Sequence, residues 1–341
     1  MFTGLLSRDG RARLPRLVPG GAILSFHSIT TPALPACSDA HVSLDTFQAL
    51  VRCVQRLGEL VPLREFVLRR ERGRSTSGLI AITFDDAYAA LTGEFRQFVT
   101  SAAVPITIFA VTEAMRTGST FWWDRIEDVY PRVTRDRWQA FEAACGLPES
   151  YRHGQPQEFG PLRPLRQWVL ANFSGRWPAA LEPALRALER EAGYQTLHRS
   201  MTCEELQDLA RLPWVDVGVH TVSHPVLPLL GDVELQHEIA DGYRALQERF
   251  ERVAPVLAIP FGLYDRRVLR AAREAGMATS LTLAGDIGHH RPGEPALPRF
   301  CITRTDTCRR LALRLSGLPR YVRAWSAPAA PAYPQLPSAR S

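Results

Sequence analysis

No lysine occurs anywhere in this 341-residue chain; all 41 basic residues are arginines. They are spread along the sequence, so the net charge of +6 lacks the clustered basic patch with which proteins grip nucleic acid. A nucleic-acid partner is therefore not expected. Long apolar runs are missing too. The N-terminal run Ala22–Phe26 is too short for a signal-peptide core, and no segment approaches the roughly 20 apolar residues that span a bilayer. No integral membrane segment is expected, and the reading is cytoplasmic. Cysteine is sparse: Cys37, Cys53, Cys145, Cys203, Cys301 and Cys308 show no C-x-x-C pair and no regular spacing. Free thiols in a reducing compartment fit this better than a disulfide framework, and Cys301 and Cys308 are read as inert.

What remains is an ordinary globular composition, 45% hydrophobic and 22% charged. The chain is long enough for one large domain carrying an insertion. Residues 1–20 are poorly patterned and are treated as an N-terminal extension. AILSFHSIT (22–30) follows as a short β-like run. The stretch 43–70 carries Phe47, Leu50, Val51, Val54 and Leu57 at helical spacing. IAITFDDAY (80–88) and VPITIFAVT (104–112) read as strands separated by a helix, a βαβ pattern that implies a parallel sheet. The rhythm then breaks: 121–200 is rich in Trp, Arg, Pro and helix formers and reads as a helical insertion. It resumes with WVDVGVHTVSH (214–224), a helix over 232–252, APVLAIPFG (254–262), a helix over 265–275, MATSLTLAG (277–285), ALPRFCITR (296–304) and helical signals at 307–316. The tail 319–341 is Pro/Ala/Ser-rich and is expected to be disordered. The fold class is α/β: a distorted (β/α) barrel over 21–120 and 201–318, with a helical insertion.

The chemistry starts from Asp85 and Asp86, two adjacent carboxylates at the end of a strand with the character of a buried one. Like charges side by side repel and each costs desolvation, so a cation must sit nearby. His220 and His224 supply the complement. Val215, Val217 and Val219 alternate as in a strand and Pro225 follows, so the histidines belong to a strand end and loop, not to one helix face. In a parallel barrel the strand C-termini share one face. One carboxylate and two imidazoles make three ligands with an open position, the pattern of a catalytic metal site. The bland reading is an Asp that caps the next helix and histidines that satisfy loop backbone. Both motifs occurring together at strand ends favours the metal.

TFDDA, HTVSH and the PFG of AIPFG resemble the polysaccharide deacetylase family (NodB-homology, carbohydrate esterase family 4), over about residues 23–304 apart from the insertion. The resemblance implies a barrel of about seven βα units that removes N- or O-acetyl groups from polysaccharides with a divalent metal, most often Zn2+. Position by position, it implies Asp85 as general base, Asp86, His220 and His224 as metal ligands, and Thr221 as a brace between the histidines at the substrate site. The backbone N–H of Phe261 would help hold the oxyanion. The sequence departs from the family pattern at Ala87, where the family has Gly, at Ala258, where an Arg is usual, and after Ile302, where no histidine follows. ILSFHSI resembles instead the exopolysaccharide-type members, in which the acid histidine comes from the first strand. His27 is thus the expected acid, and Arg299 the expected substitute for the missing Arg, orienting Asp85.

Trp122 and Trp123, in FWWDR, would serve either to stack on sugar rings beside a glycan groove or to pack the helical lobe. His289 and His290 sit in a Gly/Pro-flanked loop and are read as solvated. The expected partner is an acetylated glycan, with exopolysaccharide or envelope glycan biosynthesis as the setting. The rival readings are a deacylase of a lipid-linked or small acylated sugar and a non-catalytic glycan-binding domain; the oligomeric state is not indicated.

Overall fold

The computed structural model describes residues 18–32, 36, 38–152, 162–194, 198–283 and 296–317. Eleven strands appear in it: β1 (Ala22–Phe26), β2 (Ser28–Thr30), β3 (His41–Ser43), β4 (Glu59–Leu60), β5 (Leu79–Phe84), β6 (Ile106–Ala110), β7 (Val215–Val219), β8 (Val253–Ala258), β9 (Thr279–Thr282), β10 (Leu297–Pro298) and β11 (Phe300–Cys301). The main sheet runs β10-β9-β8-β7-β6-β5-β1-β11, with β4 pairing β5. All these pairings are parallel. β10 and β11 are consecutive in the chain yet pair with opposite ends of the sheet. The segment 297–301 therefore bridges β9 and β1, and the sheet becomes a nearly closed barrel. Arg299 stands at that seam.

Strand alternation explains what fills the barrel. Ile23, Leu79, Ala81, Phe109, Val256, Ala258, Leu281 and Leu297 form one buried cluster. Their neighbours one residue along, among them Leu24, Ile80, Ile82, Ile108 and Leu257, belong to a second cluster with helix residues such as Phe47, Leu50 and Val268. The first set is the barrel lining and the second lies under the helices. Extending the lining by twos toward the strand C-termini gives Ser25 and His27, Thr83 and Asp85, and Arg299. The apolar core thus turns into the polar site within one barrel layer.

Two of the expected helices are interrupted. The 43–70 stretch is a helix over Leu44–Leu57 and another over Leu63–Glu71, split at Gly58 by the short β4. Residues 232–252 form helices Asp232–Gln236 and Gly242–Gln247 around a π-turn at His237–Asp241. Such turns in a helix often mark functional positions. Within the expected insertion, helices Trp122–Val129, Arg135–Ala144, Arg163–Asn172 and Glu182–Ala192 bury Trp122, Ile126, Trp138, Phe141, Trp168 and Leu185 in a core of their own. The tail 319–341 and the His289–His290 pair lie outside the described residues. No helix among the described residues is long and apolar enough to cross a membrane.

Candidate active site

Asp86, His220 and His224 come together although 134 residues separate the first two: their ligand atoms all lie within 4.8 Å of one another, and all three residues are buried. Asp86 Oδ1 is 3.6 Å from His220 Nε2 and 3.6 Å from His224 Nε2. That is too long for a hydrogen bond. It is close to the roughly 3.4 Å expected between two ligands about 2.1 Å from one tetrahedral ion. The buried Asp86 Oδ1 has no hydrogen-bond partner among the described residues. His220 Nδ1 donates to Ala258 O at 2.8 Å, which fixes the tautomer and leaves the Nε2 lone pair turned to Asp86.

The charges fit the same ion. Burial, then the Asp85 and Asp124 carboxylates, push Asp86 well above the ordinary carboxylate range. Burial also lowers His220 and, more strongly, His224, keeping both imidazoles neutral as metal ligation requires. A carboxyl reluctant to ionise without a cation, set between two neutral imidazoles, is a donor set that a divalent cation satisfies.

Asp85 is held differently. Burial alone would raise its pKa, but Arg299 and the nearby histidines outweigh that and keep Asp85 well below the usual range. Arg299 Nη1 and Nη2 donate to the two carboxylate oxygens at 2.7 and 2.8 Å. Ser25 Oγ donates at 3.3 Å, and Arg299 Nη1 also reaches Thr83 Oγ1 at 3.2 Å. Arg299 is the largest fully buried side chain among the described residues, and the two adjacent aspartates are set apart by distinct partners. His27 keeps some surface open, while its Nδ1 is buried without a hydrogen-bond partner among the described residues. Burial pushes it down to about 4, outweighing the pull of Asp85, and Arg299 and His220 add to the drop. The imidazole is neutral at rest.

The loops that present these groups use strained backbone. Asp86, Ala87, Thr221, His224 and Phe261 all have positive φ, between 49° and 68°, at a cost of about 1 kcal/mol or more each for residues with a Cβ. Ala87 thus occupies the conformation for which glycine is suited. Thr221 is fully buried and its hydroxyl accepts from His224 N at 3.0 Å. It braces the histidine loop but cannot reach a substrate, which corrects its placement at the substrate site.

The two tryptophans separate. Trp122 is buried in the lobe core, with its indole N–H on Gly175 O at 2.8 Å and its ring stacked on Trp177. It is a packing residue, not a sugar platform. Trp123 faces the site: it stacks on Phe121 with centroids 4.6 Å apart and meets His224 at 4.9 Å and Phe261 at 6.0 Å. The Phe261 ring itself packs on His224 at 4.6 Å.

Sequence reasoning missed several neighbours. The Tyr88 hydroxyl, directly after the aspartate pair, donates to buried Asp124 at 2.6 Å, and His41 Nε2 lies 3.3 Å from the same carboxylate. The motif TFDDAY contains Tyr88, but only the fold brings His41 and Asp124 to it. The cysteine reading is consistent with burial pushing the Cys301 thiol up to about 11.

Residues 183–280 match the polysaccharide deacetylase family model, a span that contains His220, His224 and Phe261. No curated protein sequence matches the chain. Among solved structures, a Streptococcus pyogenes deacetylase, PplD, in complex with acetate is similar at TM-score 0.55 and 14% identity, over 86% of this chain and 97% of that one. A de-N-acetylase from Aggregatibacter actinomycetemcomitans gives 0.53 and 11%, over 86% and 99%. IcaB from Ammonifex degensii gives 0.53 and 16%, over 87% and 97%. At such identities the likeness establishes the fold. The chain thus has the NodB-type (β/α) barrel fold of the polysaccharide deacetylases, and within it residues 183–280 carry the match to that family's model.

Proposed function

We propose that the protein hydrolyses N-acetyl groups of an acetylated oligo- or polysaccharide, with a divalent ion, zinc being the expected one, held by Asp86, His220 and His224. The observation that carries this reading is the convergence of these three ligands beside an Arg299-bound Asp85. When bound, such an ion supplies a Lewis acid for the acetyl carbonyl and a more acidic water.

The chain's own residues do the rest. Asp85, oriented through both oxygens by Arg299, receives the proton of the attacking water. The Phe261 N–H, in a left-handed turn at φ 56°, meets the oxygen that gains negative charge as the water oxygen bonds to the carbonyl carbon. His27 hands a proton to the sugar nitrogen as the C–N bond breaks, giving acetate and a free amino sugar. Because His27 is neutral at rest, the proton it delivers is one the reaction releases. Asp85, kept a weak base by Arg299, passes on what it takes. The half-buried Trp123, packed beside His224 and Phe261, is the aromatic ring placed to meet a sugar. The first-strand position of His27 supports a role in exopolysaccharide or envelope glycan biosynthesis.

Acetate release from a zinc-loaded preparation acting on acetylated chito-oligosaccharides tests the reading. Turnover that vanishes in Asp85→Asn supports it. No acetate from any acetylated oligo- or polysaccharide would sink it.

A further inference from the structure

The helical lobe contributes three consecutive residues that no catalytic step uses, Ser174, Gly175 and Arg176, and all three touch the loops that carry the site. Ser174 O accepts from Val226 N at 2.7 Å, two residues beyond His224. Gly175, at φ 80°, lies against the Phe261 ring: a Cβ there would stand 2.8 Å from Phe261 Cε2 and 3.2 Å from a Val226 methyl. Only glycine combines that backbone with that approach. Arg176 reaches furthest. Its Nε donates to Ser223 Oγ at 2.9 Å, Nη1 to Glu234 at 2.6 Å and Nη2 to Glu238 at 2.8 Å.

Glu238 is the other half of the device. It sits in the π-turn His237–Asp241 and is 2% exposed. Its carboxylate accepts from Val222 N at 3.0 Å, Ser223 N at 2.9 Å and Ser223 Oγ at 2.7 Å. A buried carboxylate thus gathers the backbone between His220 and His224, and the Arg176 guanidinium neutralises it from the lobe. Without that cation the carboxylate would remain buried on neutral donors alone, and the loop it holds would lose its anchor.

We propose that Ser174–Arg176 is a clamp by which the lobe positions the histidine loop and the Phe261 turn, with Arg176 and Glu238 as positioning residues for metal binding. The inference rests on the zinc-site reading above. Partners that orient metal ligands from behind typically change metal affinity by about 10–100-fold when removed. The lobe is then part of the metal centre's scaffold and not an appendage to it.

The test is zinc affinity, measured by competition with a chromophoric chelator well below the melting temperature, on wild type, Arg176→Gln and Arg176→Lys, each shown folded by circular dichroism. Arg176→Gln is expected to bind zinc about 10–100-fold more weakly. Arg176→Lys keeps the charge that Glu238 needs for folding but cannot fork to three partners, and should fall in between. Arg186→Gln, an exposed lobe arginine paired with Glu182, should bind as wild type does. Wild-type affinity in either folded Arg176 variant overturns the clamp and leaves the zinc site standing. A wild type that binds no zinc overturns both.

Discussion

The Arg299 guanidinium grips both oxygens of Asp85 across the seam where the barrel closes. The residue that completes the cylinder therefore also keeps the proposed base charged. A fork of two parallel N–H donors on one carboxylate is the strong, oriented form of an ion pair, and both partners here are removed from water, with side chains 0% and 2% exposed. Such a pair is costly to break from one side only, because the partner left behind stays buried and charged.

Arg299→Met should therefore lower stability by about 3–5 kcal/mol, measured by urea denaturation. Adding Asp85→Asn should restore part of that loss while leaving the protein inactive. A single mutant as stable as wild type would show that the pair carries no structural weight.

Trp122 and Trp123 should respond in opposite ways. Trp122→Ala removes a ring from the lobe core and should cost about 3–5 kcal/mol of stability. Trp123→Ala, at a half-buried ring, should cost less stability than that and raise KM for an oligosaccharide, since the ring packs on His224 and Phe261. Equal effects of the two on glycan affinity would remove the reason for distinguishing them.

At pH values below the raised Asp86 pKa, zinc binding should release a proton from Asp86. In the metal-free site this carboxyl holds its proton above the ordinary range, whereas both histidines, lowered by burial, have none to lose. Affinity should rise with pH up to the raised Asp86 pKa and then level off. Calorimetry in buffers of different ionisation enthalpy reads the proton directly, and Asp86→Asn should abolish it. Heats independent of buffer would contradict this assignment.

The sequence made the strands, the Asp–Asp and His–His motifs and the barrel class legible because these are local patterns: alternation, β-branched runs and strand-end polar residues. Arg299 could be singled out only through the family resemblance, because the Arg usual near Ala258 is missing and the ALPRF stretch offers a substitute to orient Asp85. What stayed hidden depends on distant packing. Trp122 and Trp123 are adjacent and chemically equal, and only the docking of the lobe decides which ring is buried. The clamp of Ser174–Arg176 on Glu238 joins positions about 60 apart without any local signature, and the π-turn that presents Glu238 leaves no trace in helical periodicity. The neutral resting state of His27 follows from burial, which no spacing rule reports.

The metal content of purified protein, determined by mass spectrometry for wild type, Asp85→Asn and His220→Ala, bears most directly on the account. One zinc ion per chain in wild type and in Asp85→Asn, and none in His220→Ala, is the predicted outcome. Full deacetylase turnover from protein that contains no metal would contradict it.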